Sequence, residues 1–391
     1  MSMIKHPGAT LPFQPRIRKG AFFEAAWRHG CRKFSVYNRT YISSGFSTPL
    51  EEYKKVTEDV TIWPVMGERQ VEISGKDAAD FVQLLTPRNI SKCKVDQCKY
   101  ALITAPDGGI ISDPIILKLD EDRFWLSTSD CDLELWAKGV AVHSRMGIRI
   151  QDAGVSVIQV QGPKSPRVMV NVFGEDILDL RYYWLARKHF QGHELKISRT
   201  GWSGEFGYEI YLENDAQGDA LFDALMEAGK SSGIAPGAVN HVRRIESGIL
   251  SWGVDMTPAE TPYHVGLGRL VELDNTPVFV GRDALVRASQ EPLSKKIVGM
   301  IIDGDPLDNN EDVWPLMAGE KQVGKLTSLA FSPRLQKNIA IGLVNPHYGE
   351  IGMQLDVEAW TGPRQATICE MPFLPKRQVG SARELFAKAD A

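Results

Sequence analysis

The stretch Ser198–Leu212, SRTGWSGEFGYEIYL, carries the densest structural information in the chain. Glycines at 201, 204 and 207 mark a tight turn. The residues that follow, Tyr208–Leu212, are aromatic and apolar, which favours a strand. Glu209 sits in the middle of that strand. A Glu is rarely buried without a partner. Either it forms a surface ion pair, or it receives the NH groups of a ring-shaped ligand.

Outward from this stretch, the periodicity alternates between strand and helix. Upstream lie a strand at Val155–Val160, a helix at Pro166–Phe173 and a strand at Glu194–Ser198. Downstream, the helix Ala216–Lys230 places Leu221, Leu225 and Ala228 on one face. An earlier set has the same character. It comprises a strand at Arg69–Ser74, an amphipathic helix at Lys76–Leu85, strands at Ala101–Ala105, Ile110–Leu117 and Phe124–Ser127, and a helix at Leu133–Val142. The two sets read as a loosely duplicated α+β unit. Residues 275–290 read as a connecting helix. Beyond Ser294, Gly, Pro and Asn break the chain into short strands (Ile297–Ile302, Gln322–Leu329, Asn338–Val344 and Gln354–Glu358), the pattern of a small antiparallel barrel. Residues 1–50 have no clean periodicity beyond a short helix near Phe22–Trp27, and read as an arm packed on the next domain. The expected division is therefore 1–50, 51–290 and 291–391.

The 391 residues are 43% hydrophobic and 24% charged, with a formal charge of −4. That is globular-enzyme composition without a basic footprint for nucleic acid. The N-terminus lacks an apolar signal region, and no apolar run is long enough for a membrane span. The five cysteines are irregularly spaced and the histidines show no ligand spacing, so a cytoplasmic protein without a metal is expected. No GxGxxG, GxxxxGK[ST], HExxH, CxxC or GxSxG occurs in a supporting context. The oligomeric state is not written in the sequence, and a homodimer stays open.

Three further segments mix glycine, aromatic and charged residues beyond what a plain core needs. Tyr100–Pro114, YALITAPDGGIISDP, turns through two glycines to Asp113, which either caps a strand end or lies in an apolar cleft to bind an NH group. Arg243–Gly268 contains Arg244, which could pair with Glu246 or Glu260, or grip a carboxylate bidentately. Arg181–Trp184, RYYW, is either core or the mouth of a site for a flat ring or an onium cation.

SRTGWSGEFGYEIYL resembles the SRTGYTGEDGFEIY signature of the glycine-cleavage T-protein, or aminomethyltransferase, family. VQGPKS at 160–165 resembles its QGP turn, and RIESG at 244–248 its RLEAG. LTSLAFSPRLQKNIAIGLV at 326–344 is similar to its barrel motif, and MPFLP at 371–375 to its closing strand. Within the family, ERQVEISGKDA, LTPRNISK, GGIISDP and SDCDLELWAKG are most similar to the dimethylsulfoniopropionate (DMSP) demethylase branch. WPVMGE at 63–68 stands where the T-protein has FDVSHM, and Pro64 replaces an expected acidic residue. Ser112-Asp113 replaces an Asp-Asp pair.

The resemblance implies an α+β, folate-binding aminomethyltransferase fold of two related subdomains with a C-terminal barrel. It also implies tetrahydrofolate as methyl acceptor and a small-molecule methyl donor. Carried over by position, Asp113 would meet the folate near N5 and N10, Glu209 would bind pterin NH groups, Tyr100 would line the channel and Arg244 would face the distal half. Trp202 would lie against the donor, with Tyr211, Ser127 and Tyr182 as neighbours, so that Asp113 and Trp202 carry the chemistry. A small onium donor, DMSP first, is expected. Betaines, methoxylated aromatics and a glycine-cleavage-type aminomethyl transfer are the alternatives, and a non-catalytic folate-binding regulator is a further one.

Overall fold

The computed structural model describes residues 11–274 and 278–388. After α1 (Phe23–Arg28), the arm forms a hairpin of β1 (Lys33–Tyr37) and β2 (Thr40–Gly45). Asn38 and Arg39 in its two-residue turn both have positive φ, 47° and 56°, the backbone that matches the twist of paired strands. Phe13 packs edge-on against Phe23, Trp27, Phe34 and Tyr41, giving the arm its own small aromatic core. The helix α2 (Pro49–Glu58) begins at a reciprocal capping box between Thr48 and Glu51.

Next come β3 (Thr61–Pro64), β4 (Arg69–Ser74), α3 (Ala78–Leu85), β5 (Cys98–Tyr100), β6 (Ile103–Thr104), β7 (Ile110–Ser112), β8 (Ile115–Asp120), β9 (Arg123–Thr128), α4 (Leu133–Ala141) and β10 (Arg149–Asp152). The expected continuous strand 110–117 is broken at Asp113–Pro114, because Pro114 has no N–H for a ladder. The strand expected at 101–105 shortens to β6. The second set holds β11 (Ser156–Gln161), α5 (Ser165–Phe173), β12 (Leu185–Phe190), β13 (His193–Ser198), β14 (Gly207–Leu212), α6 (Gly218–Ala228), β15 (Ala235–Pro236) and α7 (His241–Glu246).

Two sheets result, ordered β10-β4-β9-β8-β5 and β12-β13-β14-β11-β3-β15. The duplication is not sequential: β3 precedes the first set in the chain but pairs with β11 in the second sheet. Strand alternation gives each sheet two apolar faces. Val71, Ile73, Phe124 and Leu126 pack under α3 and α4, while Ile158, Val160, Ile197 and Ile210 pack under α5 and α6. The faces turned toward each other meet through Trp63, Leu117, Trp125, Val157 and Tyr211, and Trp125 and Tyr211 lie 6.0 Å apart at their ring centres.

Of the connecting helix expected at 275–290, residues 275–277 lie outside the described residues, and α8 covers Arg282–Gln290. The remainder closes into an antiparallel barrel of β16 (Lys296–Ile302), β17 (Trp314–Ala318), β18 (Lys321–Ser332), β19 (Lys337–Val344), β20 (Gln354–Ala359) and β21 (Gly362–Cys369), with β21 beside β16. A final helix, α9 (Ala382–Lys388), returns to the α5 side of the second sheet. No helix among the described residues is long and apolar enough to cross a membrane.

Candidate active site

The register of the second sheet builds a polar row into an apolar interior. Gln159 lies opposite Trp63 on one side and Glu209 on the other, and Glu209 lies opposite Ser198. Directly opposed residues share a face, so Gln159, Glu209 and Ser198 all point between the two sheets. Glu209 is 3% exposed. Its carboxylate accepts from Gln159 Nε2 at 2.7 Å, Tyr211 Oη at 3.0 Å, Ser198 Oγ at 3.4 Å and the Thr200 hydroxyl. Burial pushes this carboxyl up, and those four donors hold it partly down. The glycines of the signature have a packing reason: a Cβ at Gly201 or Gly207 would fall within 2.4 Å of the Gln161 amide.

Glu209 has a neighbour that the sequence did not announce. Glu68, just past the turn after β3, accepts from the same Gln159 Nε2 at 3.3 Å. Burial, and then the charge of Glu209, push the Glu68 carboxyl well above the usual range. Gln159 is fully buried, and among the described residues its Oε1 has no partner. A buried acceptor left unmatched beside a carboxylate costs roughly 1–3 kcal/mol.

Asp113 stands at the break between β7 and β8, half-buried, and accepts from Tyr100 Oη at 3.0 Å. Burial raises its carboxyl to about 7, against the lowering effect of hydrogen bonds from Tyr100 and Ser129. Tyr183, held at φ 60°, links the two carboxyl regions: the Tyr100 hydroxyl feels Tyr183, and the Tyr183 hydroxyl feels Tyr182 and Glu209. The arm also enters. Burial, then the charges of Glu68, Asp113 and Asp130, hold the Tyr37 hydroxyl well above its ordinary range.

The sequence-derived candidates therefore separate into two groups. Tyr100 and Asp113 touch, and Glu209 and Tyr211 touch. Ser127, on the inner face of β9, accepts from Gln70 Nε2 at 3.1 Å. Trp202, Arg244 and Tyr182 lie in other contacts. The Arg244 guanidinium, 1% exposed, donates to Asp255 at 2.5 Å and to Ser328 at 2.7 Å, and sits 5.5 Å from the Trp202 ring centre. Its partner is thus neither Glu246 nor Glu260. Glu246 bonds Tyr53 and Ser332, and Glu260 pairs with Lys295. Tyr182 donates to Gln378 of the C-terminal tail at 3.0 Å. Glu68, Gln159, Tyr183 and Tyr37 were missed. A polar Gln within the apolar strand SVIQVQ was the available signal for Gln159.

Between the two facing sheets, then, lie a buried carboxylate, a buried amide oxygen without a partner among the described residues, and an Asp whose carboxyl burial raises. The comparisons specify the class. The GCVT N-terminal domain model matches residues 18–275, and the glycine cleavage T-protein C-terminal barrel domain model matches 295–374. The DMSP demethylase of Ruegeria pomeroyi is 35% identical over 356 residues, covering 91% of this chain and 97% of that protein. The aminomethyltransferase of Alkaliphilus oremlandii is 30% identical, covering 91% and 97%. In fold, the crystal structure of glycine cleavage system aminomethyltransferase T from Bartonella henselae matches with a TM-score of 0.84 at 21% identity, over 93% of this chain and all of that one. The chain belongs to the folate-dependent aminomethyltransferase family of the glycine-cleavage T-protein.

Proposed function

We propose that this protein is a tetrahydrofolate-dependent demethylase that moves a methyl group from a small onium donor, DMSP first, to N5 of tetrahydrofolate. The observation that carries the proposal is the buried Glu209–Gln159 pair, whose Oε1 has no partner among the described residues, in a chain 35% identical to a DMSP demethylase over nearly its whole length. Tetrahydrofolate is here a substrate, the methyl acceptor.

In this reading Glu209 and Gln159 Oε1 take the ring NH groups, while Tyr100 and Asp113 take the N5 side. The N5 lone pair forms the new bond to the methyl carbon. The carbon–sulfur bond breaks with its electron pair retained by sulfur, which departs as a neutral thioether. The Asp113 carboxylate receives the N5 proton. Because the leaving group needs no proton and no Lewis acid, the protein's task is alignment of donor and acceptor in a dry site.

The donor cation is held by aromatic faces, at up to about 2 kcal/mol when desolvated. Trp202 offers one face, its other being taken by Arg244. Ser127 keeps its own proton for the donor carboxylate. Tyr211, fully buried and donating to Glu209, serves the folate side in this assignment.

The test is a tetrahydrofolate titration. Glu209→Ala should keep the fold and lose a charge-assisted hydrogen bond, roughly 1.5–3 kcal/mol, or about ten- to a hundredfold in affinity. Unchanged binding in that variant removes Glu209 from the site.

A further inference from the structure

The arrangement of Glu68, Gln159 and Glu209 raises a charge question of its own. Two carboxyls from different segments share the nitrogen of one neutral amide, at 3.3 and 2.7 Å. The cations of this region are engaged elsewhere: Arg243 and Arg334 pair with Glu205, Arg244 pairs with Asp255, and Arg199 lies over the Phe206 ring and donates to the Gln378 carbonyl. Among the described residues no ion pair reaches Glu68 or Glu209, and no cation is among the groups that shift them. The other titratable groups facing them are Tyr211 on β14, Tyr37 on β1, Tyr182 and Tyr183 before β12, and Cys98 on β5. All five are neutral acids whose charged forms burial opposes. Two carboxylates confined together without a counter-charge do not both ionise near neutrality.

We propose that Glu68 is a positioning residue: the Glu68–Glu209 pair, joined by the Gln159 amide that donates to both, holds one proton, leaving a single negative charge to face the bound ring. Glu68 is the member that keeps the proton. Glu209 has four donors stabilising its anion, whereas the hydrogen bond found for Glu68 is the longer half of the shared amide contact. Removing the proton would set two anions against each other, drive Glu209 off its donors and weaken ring binding. The pair titrates as a unit, so the alkaline limb belongs to both residues. The binding consequence rests on the folate role proposed for Glu209; the proton itself does not.

Two measurements test this separately. In ligand-free protein carrying Asp113→Asn, infrared titration should show a protonated-carboxyl band at neutral pH that fades on the alkaline side. Adding Glu68→Gln, the non-ionising mimic of the acid, should abolish it. No band, or a band unaffected by Glu68→Gln, overturns the proposal. In tetrahydrofolate titrations of the otherwise native protein, affinity should fall about tenfold per pH unit beyond that same pH. Glu68→Gln should bind within about threefold of wild type at neutrality, a modest change for a retained hydrogen-bond geometry, and should lack the alkaline fall. If Glu68→Gln follows the wild-type pH curve, or loses binding at every pH, Glu68 acts as an anion and the proposal fails. If the infrared results hold while Glu209→Ala binds folate normally, the shared proton stands and the folate assignment falls.

Discussion

Asp113 joins the acid–base state of the site to its proposed work. Its carboxyl is raised to about 7 by burial, so it is neutral below that pH and ionised above it. Only the ionised form can accept the N5 proton. The pH profile of kcat/KM, which reports free-enzyme groups, should therefore rise through about pH 7. Asp113→Asn should be slow and flat across that range. A profile in Asp113→Asn that still rises near 7 would assign the limb to another group. The stability consequence has the opposite sign. A raised folded-state value means that the contribution is fully present below the unfolded value of a carboxyl and is lost as pH rises through about 7. At this scale part of the site was legible in the residues themselves. Asp113 and Glu209 stood out because each breaks an apolar pattern, and Tyr100 entered only through the family resemblance. Glu68 did not stand out, since a Glu after Gly67 reads as an ordinary turn. Tyr182 came from the family resemblance, and nothing in RYYW shows that residue 183 takes a left-handed backbone.

The hairpin of β1 and β2 is the element whose role the sequence left most open. Its tip is tied across the site. Asn38 donates from its side chain to Gly67 O at 3.0 Å and Ser129 O at 2.9 Å, and from its backbone to Asp130 at 2.7 Å. Tyr37 packs so closely that a Cβ on Gly67 would lie 2.9 Å from its own. Asn38→Ala removes two hydrogen bonds and puts Ala in a left-handed turn. A loss of roughly 1–3 kcal/mol in unfolding free energy is expected, together with a raised KM for the donor or folate. Unchanged KM with lowered stability would make the hairpin a brace only. The elements that sequence reasoning missed share one cause. The strand β17 contains Pro315 and a register shift, and β21 alternates polar and apolar residues too weakly to stand out. β3 is too short for its period to show that it belongs to the second sheet. The continuous apolar run of β19 and the strict alternation of β20, each bounded by turn residues, were legible.

Across the whole molecule, the barrel and the two-sheet half are locked by a buried charge network. Arg244 on α7 pairs with Asp255, whose other oxygen accepts from Thr327 and Ser328 of β18, both at 2.6 Å. Arg244 and Asp255 are essentially inaccessible to solvent. Removing one member of a buried pair leaves an uncompensated charge, a cost of about 3–5 kcal/mol. Asp255→Ala should therefore lower the unfolding free energy by that order in denaturant melts. A loss below about 1 kcal/mol would mean that the network relaxes without strain. The same lock places Trp202 against Arg244, so the barrel contributes indirectly to the proposed donor wall.

Donor class separates an onium demethylase from an aromatic O-demethylase. The protein is incubated with tetrahydrofolate and, in parallel, with DMSP, glycine betaine or vanillate, and 5-methyltetrahydrofolate is followed over time. Formation from DMSP, weaker or absent formation from betaine and none from vanillate is the expected result. Turnover of vanillate alone, or no 5-methyltetrahydrofolate from either onium donor, would contradict an onium demethylase.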